Sequence, residues 1–201
     1  VSIALGVGSD HTCALLDDRS VKCWGYNGNG QLGYGDTSQR GDGGGEMGDG
    51  LPAVSLGAGR TAVSIALGSA HTCALLDDRS VKCWGWNGYG QLGYGDTVQR
   101  GDGGGEMGDG LPAVALGAGR TAVSIAAGDA HTCALLDDRS VKCWGYNGGG
   151  ELGYGDTIQR GDGGGEMGDA LPAVSLGTGR TAVSIAAGGY HTCALLDDRS
   201  V

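Results

Sequence analysis

Proline is scarce in this chain, at 3 of 201 residues, and basic residues are outnumbered, with 13 Lys and Arg against 23 Asp and Glu. The few prolines, together with an apolar content of 40%, separate it from disordered Gly/Pro tracts even though Gly supplies 45 residues. The formal charge of −10 argues against nucleic acid or an anionic membrane as partner, since both demand clustered Lys and Arg. Cationic partners and divalent ions stay compatible with it. No apolar stretch approaches the roughly 18 residues that span a bilayer. No basic-then-apolar leader opens the chain, but the sequence starts inside a repeat, so that absence carries no weight. There is no Asn-x-Ser/Thr sequon, which excludes N-glycosylation within this span but not O-glycosylation.

What is present is repetition. His11-Thr12-Cys13-Ala14-Leu15-Leu16-Asp17-Asp18-Arg19-Ser20-Val21 returns at His71, His131 and His191, every 60 residues. Such a unit cannot bury its apolar face alone and is stabilised by stacking on its neighbours. The chain divides into residues 1–60, 61–120, 121–180 and a short fourth unit, 181–201, or about three and a third repeats. Glycines at fixed places between short apolar runs read as an all-β protein with many tight turns.

Within one repeat, Val63 to Ala66 reads as a first strand, His71 to Leu76 as a second and Val81 to Gly85 as a third. Leu51 to Val54 and its copies read as a fourth, placed at an edge because Pro52 has no N–H to give a ladder. Four antiparallel strands per unit is the count of a propeller blade. The seven cysteines fall as Cys13/Cys23, Cys73/Cys83 and Cys133/Cys143, with Cys193 left alone because Val201 precedes the position of its expected mate. Constant pairing suggests disulfides or metal sites, and a spacing of ten without a Cys-x2-Cys hook favours disulfides in an oxidising compartment. A hairpin centred on Asp78 opposes Leu75 with Val81 and Cys73 with Cys83, which places both sulfurs on one face.

A three-residue connection of that kind wants φ > 0 at its last position, normally Gly, where this chain has Arg19, Arg79, Arg139 and Arg199. Either the turn takes another form, or these arginines form an outward-facing basic row. The first repeat also carries two extra residues around Gly6-Val7-Gly8, read as a bulge or an irregular start.

His11-Thr-Cys-Ala-Leu-Leu-Asp-Asp, Val21-Lys-Cys-Trp-Gly-Tyr-Asn and Gly30-Gln-Leu-Gly-Tyr-Gly-Asp together resemble the blade signature of the regulator of chromosome condensation family of β-propellers. The resemblance covers almost the whole chain outside the Gly-rich loop. It implies four-stranded blades of a seven-bladed propeller, here as an incomplete propeller or an open or helical array. Members include guanine-nucleotide exchange factors, a plant ultraviolet photoreceptor and secreted binding proteins. The cysteine pairs, the hairpin arginines and the loop from Arg40 to Asp49 make the chain look like secreted, disulfide-bearing microbial or algal members. No catalytic residue carries over.

The candidate sites are few. His11 and its copies are metal ligands, bases or, as blade signatures suggest, fixtures bonding neighbouring blades. Asp17-Asp18 reads as a turn pair. Gly28-x-Gly30-x-x-Gly33 matches a dinucleotide fingerprint but is followed by turns instead of the helix that would hold a pyrophosphate. Asp36, Asp42, Glu46 and Asp49 supply oxygens for Ca²⁺ if the glycines fold the loop into a cup, and otherwise belong to a solvated loop. Arg40-Gly41-Asp42 is an adhesion tripeptide of low specificity. With no nucleophilic or titratable constellation, the expected role is non-enzymatic. The chain is expected to be an extracellular or cell-surface structural or adhesive protein that contacts copies of itself, as in a filament or surface layer. The alternative is a segment of a closed propeller that binds a regulatory protein.

Overall fold

The computed structural model describes residues 2–6 and 8–201, so Val7, within the expected irregularity of the first repeat, lies outside the described residues. The strands are β1 (Ser2–Leu5), β2 (His11–Leu15), β3 (Val21–Gly25), β4 (Ala62–Leu67), β5 (His71–Leu76), β6 (Val81–Gly85), β7 (Ala122–Ala127), β8 (His131–Leu136), β9 (Val141–Gly145), β10 (Ala182–Gly188) and β11 (His191–Leu196). Among the described residues there is no α-helix, only single 3₁₀ turns at Gly48–Gly50, Gly108–Gly110 and Gly168–Ala170. The sheets run β1-β2-β3, β4-β5-β6, β7-β8-β9 and β10-β11, all antiparallel.

The expectation of four laddered strands is corrected in one respect. Residues 51–56 are extended beside β3, yet only the Val54 N–H reaches it, donating to the Val21 carbonyl at 2.7 Å, and residues 114 and 174 repeat this contact. Pro52 removes one donor, and the Ser55 carbonyl of this segment instead takes the Gly108 N–H of the following repeat at 3.0 Å. The fourth segment therefore ties one repeat to the next as much as it widens its own sheet.

The hairpin register is that expected, with Cys73 opposite Cys83 and Leu75 opposite Val81. Disulfides join Cys13–Cys23, Cys73–Cys83 and Cys133–Cys143, and Cys193 is free and exposed. The turn closes through Arg79 N–H to Leu76 C=O and Leu76 N–H to Ser80 C=O, both 2.9 Å. Arg19, Arg79, Arg139 and Arg199 occupy the left-handed region at φ 65°, 66°, 66° and 71°, so the glycine conformation is retained without the glycine. Two groups hold it there. Asp78 Oδ1 accepts the Ser80 N–H and hydroxyl, and the Arg79 carbonyl accepts the Ala122 N–H at the start of the next repeat, 3.1 Å away.

The core lies between repeats. Cys13, Val21, Cys23, Leu32, Val54 and Leu56 of the first repeat form one cluster with Ala62, Leu67, Ala74, Leu76, Trp84 and Leu111. Cys73, Leu75, Val81, Cys83 and Leu92 then meet Ala122, Ile125, Ala134, Leu136 and Trp144. Successive residues of a strand point to opposite faces, so Cys73 and Leu75 serve the following interface while Ala74 and Leu76 serve the preceding one. This explains a strand without polar alternation: β5 and β8 are buried at every position, whereas β11 alternates exposed and half-buried.

A left-handed non-glycine residue costs about 1 kcal/mol. Arg79→Gly is therefore expected to raise unfolding stability by up to about 1 kcal/mol, and Arg79→Ile to lower it by about 1–2 kcal/mol, in urea titrations. A clear loss on glycine substitution would assign the position to the guanidinium instead of the backbone.

Candidate functional site at the repeat interface

Each interface is organised around one backbone carbonyl. The Gln31 C=O accepts the Trp84 indole N–H at 3.0 Å and the Thr72 hydroxyl at 2.9 Å, both from the following repeat. Gln91 receives Trp144 and Thr132 at the same distances. His11 Nε2 lies 2.7 Å from Thr72 Oγ1, His71 Nε2 3.0 Å from Thr132 Oγ1 and His131 Nε2 2.9 Å from Thr192 Oγ1. Because the single hydroxyl proton of Thr72 is committed to Gln31, the imidazole must donate from Nε2. Burial disfavours the imidazolium, so the His11 and His71 rings are held as neutral Nε2–H tautomers.

Packing enforces the same contact. Trp84 and Trp144 are completely buried, and a Cβ on Gly33 or Gly93 would sit 2.6 or 2.7 Å from the incoming indole nitrogen. Glycine is thus required there by close approach as well as by its positive φ of 76° or 79°. Asn27 shapes the approach: its Oδ1 accepts the Leu32 N–H and its Nδ2 donates to the Asp36 and Ser38 carbonyls. Gly28-x-Gly30-x-x-Gly33 is an Asn-anchored turn that receives the neighbouring repeat, and no helix follows it.

The residue patterns did not reveal two further ties. Lys82, almost fully buried, donates from Nζ to the Leu56 carbonyl of the preceding repeat at 3.0 Å and to the Gly108 carbonyl of its own at 2.7 Å. Lys142 repeats this with Leu116 and Gly168. The Tyr94 phenol accepts the Cys83 N–H and donates to the Cys83 carbonyl, behind the disulfide, and burial raises its pKa. The constant eleven-residue step from Cys23 to Tyr34, Cys83 to Tyr94 and Cys143 to Tyr154 was the available signal.

The four Ca²⁺ candidates do not converge. The Asp36 carboxylate pairs with Arg40 at 2.7 Å, and Glu46 Oε2 caps the Gly41 and Gly43 N–H groups at 2.9 Å. Asp49 lies on an exposed turn, and its counterpart Asp109 accepts the Ala58 N–H across the interface. Asp42 stays exposed on the loop. Among the described residues no three His, Cys, Asp or Glu side chains gather into a metal-holding group. The glycine N–H groups turn inward onto the Glu46 carboxylate, beside which the Asp42 side chain lies. Arg40 is likewise engaged, by Asp36 and the Tyr34 ring, 5.3 Å from its centroid.

The histidines are not arranged as bases. Burial holds the imidazole pKa of His71 down to about 3 and that of His11 to about 4, and lowers that of His131. No helix of the structure is long and apolar enough to cross a membrane.

Fold and interface together define tandem β-propeller blades that share their cores. The family pattern described as "Regulator of chromosome condensation (RCC1) repeat" matches residues 20–75, 80–135 and 140–195, and a second pattern of that description matches residues 1–31, 62–91 and 122–151. The chain belongs to this family. It is 29% identical over 198 residues to the ultraviolet-B receptor UVR8 of Arabidopsis thaliana, covering 96% of this chain and 39% of the receptor. It is 31% identical over 161 residues to the E3 ubiquitin-protein ligase HERC2 of Homo sapiens, covering 78% of this chain and 3% of the ligase. The crystal structure of Prp20p from Saccharomyces cerevisiae superposes with a TM-score of 0.66 at 19% identity, over 96% of this chain and 42% of that one, a likeness of fold. The chain thus spans about two fifths or less of these proteins, whose roles differ from one another.

An unfolded histidine titrates near 6.5, so the unfolded chain binds more protons than the folded one as pH falls below that value. Stability is complete above it and drains away as pH falls towards 3–4. Thermal midpoints are expected to drop between pH 7 and 5, above the carboxylate range, and to drop less steeply in His71→Gln. A flat profile would contradict buried neutral imidazoles.

Proposed function

We propose that this chain is a non-enzymatic, extracellular repeat protein of structural or adhesive type that acts by self-association. The observation that carries this reading is the recurrence of one interface, made by the same residues 60 positions apart at Gln31/Trp84 and Gln91/Trp144. Trp84 and Trp144 are wholly covered by the preceding repeat, whereas Trp24 is half-buried beside Ala14, Leu16, Met47 and Leu51 in an open cavity of about 360 Å³. Each repeat thus offers the next one the complement of the surface it offers the last. Contacts of that heterologous kind close into rings or propagate as filaments according to their rotation.

Support for an extracellular setting comes from one disulfide in each complete repeat, since such bonds persist in oxidising compartments. A second reading, a propeller segment that binds a regulatory partner, is favoured by one feature: the repeats diverge at Trp86, Tyr89, Asp129 and Tyr190, as a partner-specific face requires.

Sedimentation velocity over a wide range of protein concentration tests self-association. The native chain is expected to associate as concentration rises, and Leu16→Glu, which places a charge on the Trp24 face, to remain monomeric. A native chain that stays monomeric throughout would reject this reading in favour of the partner-binding one.

A further inference from the structure

The interface residues are copied faithfully from repeat to repeat, but one group of side chains is not. Trp86 replaces the tyrosine of Tyr26 and Tyr146; Tyr89 stands where the other repeats have Asn29 and Gly149. Two residues before the repeated histidine, Asp129 corresponds to Ser9, Ser69 and Gly189; one residue before it, Tyr190 corresponds to Asp10, Ala70 and Ala130. These divergent positions meet at one place. The Trp86 and Tyr89 rings pack edge to face with centroids 5.1 Å apart, and Tyr89 and Tyr146 lie 4.9 Å apart at a tilt of 51°. With Asp129, Ala130 and Tyr190 they line a cavity of about 270 Å³.

We propose that this cavity binds an organic ammonium group, held over the Trp86, Tyr89 and Tyr146 rings and paired with the Asp129 carboxylate. The inference goes beyond self-association and does not depend on it. Aromatic faces carry negative potential and attract cations lying within about 6 Å of the ring centroid. Here three such rings stand beside a carboxylate that makes no salt bridge among the described residues. Its one side-chain hydrogen-bond partner is the Tyr190 hydroxyl, which donates to Oδ2 at 3.1 Å.

No Lys or Arg lines the cavity. Glu151, which replaces the glutamine of Gln31 and Gln91, adds a second negative charge whose field reaches Tyr190. An anionic ligand would meet repulsion from both carboxylates. A neutral one would leave the Asp129 charge without a counter-charge, the Tyr190 hydroxyl being its only side-chain partner.

The site is also built firmly. The Asp129 carbonyl accepts the Ser69 N–H at 3.1 Å and its hydroxyl at 2.9 Å, and the Asp129 N–H donates to the Gly189 carbonyl at 3.0 Å. The Asp129 backbone is thus fixed by the repeats on either side, which sets where its carboxylate starts from. The volume falls just below the roughly 300–1,000 Å³ of drug-sized pockets and suits a headgroup or the end of a side chain.

Because the divergent residues have counterparts elsewhere in the same chain, folding-compatible test variants are available: Tyr89→Asn, Asp129→Ser and Tyr190→Ala each install what another repeat already carries. Calorimetric titration would use choline, Nα-acetyl-lysine amide, and 3,3-dimethyl-1-butanol as the uncharged isostere of choline. Choline or the lysine amide is expected to bind saturably and the neutral isostere at least about tenfold more weakly, with Tyr89→Asn and Asp129→Ser each costing about tenfold in affinity. Tighter binding of the lysine amide would assign the site to a partner's lysine side chain, and tighter binding of choline to a free quaternary ammonium ligand. The proposal is overturned if neither cation saturates, if the neutral isostere binds equally well, or if Asp129→Ser, with an unchanged melting profile, keeps native affinity.

Discussion

The structure depends on one contact made again and again: an indole from one repeat driven against the glycine turn of the repeat before it, with its N–H on the Gln31 or Gln91 carbonyl. A buried Trp must satisfy its N–H, and a carbonyl in a turn has no ladder partner of its own, so each group answers the other's need. The threonine hydroxyl shares that carbonyl and the histidine shares the threonine, which makes the connection a chain of three donors instead of a single bond. The buried apolar side chains of a blade face this interface on one side or the other. A single repeat consequently has two half-cores and no whole one.

That arrangement assigns roles to features that look ornamental in the sequence. The disulfide fixes two strands side by side where no core lies within the sheet to hold them. The left-handed hairpin arginine turns its carbonyl towards the first strand of the next repeat, and the lysine of the third strand bridges two carbonyls across the same seam. The extended segment with its proline offers one N–H to its own sheet and a carbonyl to the next repeat. Stability is then a sum of neighbour terms, and the outer faces of a short array remain unsatisfied by the same amount that the inner ones are satisfied.

Much of this was legible beforehand, and the exceptions have physical causes. The period follows from the recurring His-to-Val segment, the all-β class from glycines placed between short apolar runs, and the hairpin register from Cys73 and Cys83, because a cross-strand disulfide admits few alignments. The inter-blade role of His71 was among the readings open at that stage. Lys82 was silent because both its acceptors are backbone carbonyls, Leu56 and Gly108, which leave no mark in residue type. The acidic loop left two readings open because composition does not show that the carboxylates of Asp36 and Glu46 are used by Arg40 and by backbone N–H groups. The ring cluster of Trp86, Tyr89 and Tyr146 was invisible because it is assembled by the departures from the period, and a search for repetition discards those. Membership of the repeat family accounts for the shared interface and assigns no activity.

If the core belongs to the interfaces, equivalent tryptophans must differ in energetic weight according to their place in the array. Urea titration of Trp84→Ala, Trp144→Ala and Trp24→Ala measures this directly. Truncating Trp84 or Trp144 is expected to cost about 3–5 kcal/mol, as for a fully buried indole, and truncating Trp24 a small fraction of that. Equal losses at all three positions would place the core inside each blade and contradict the account.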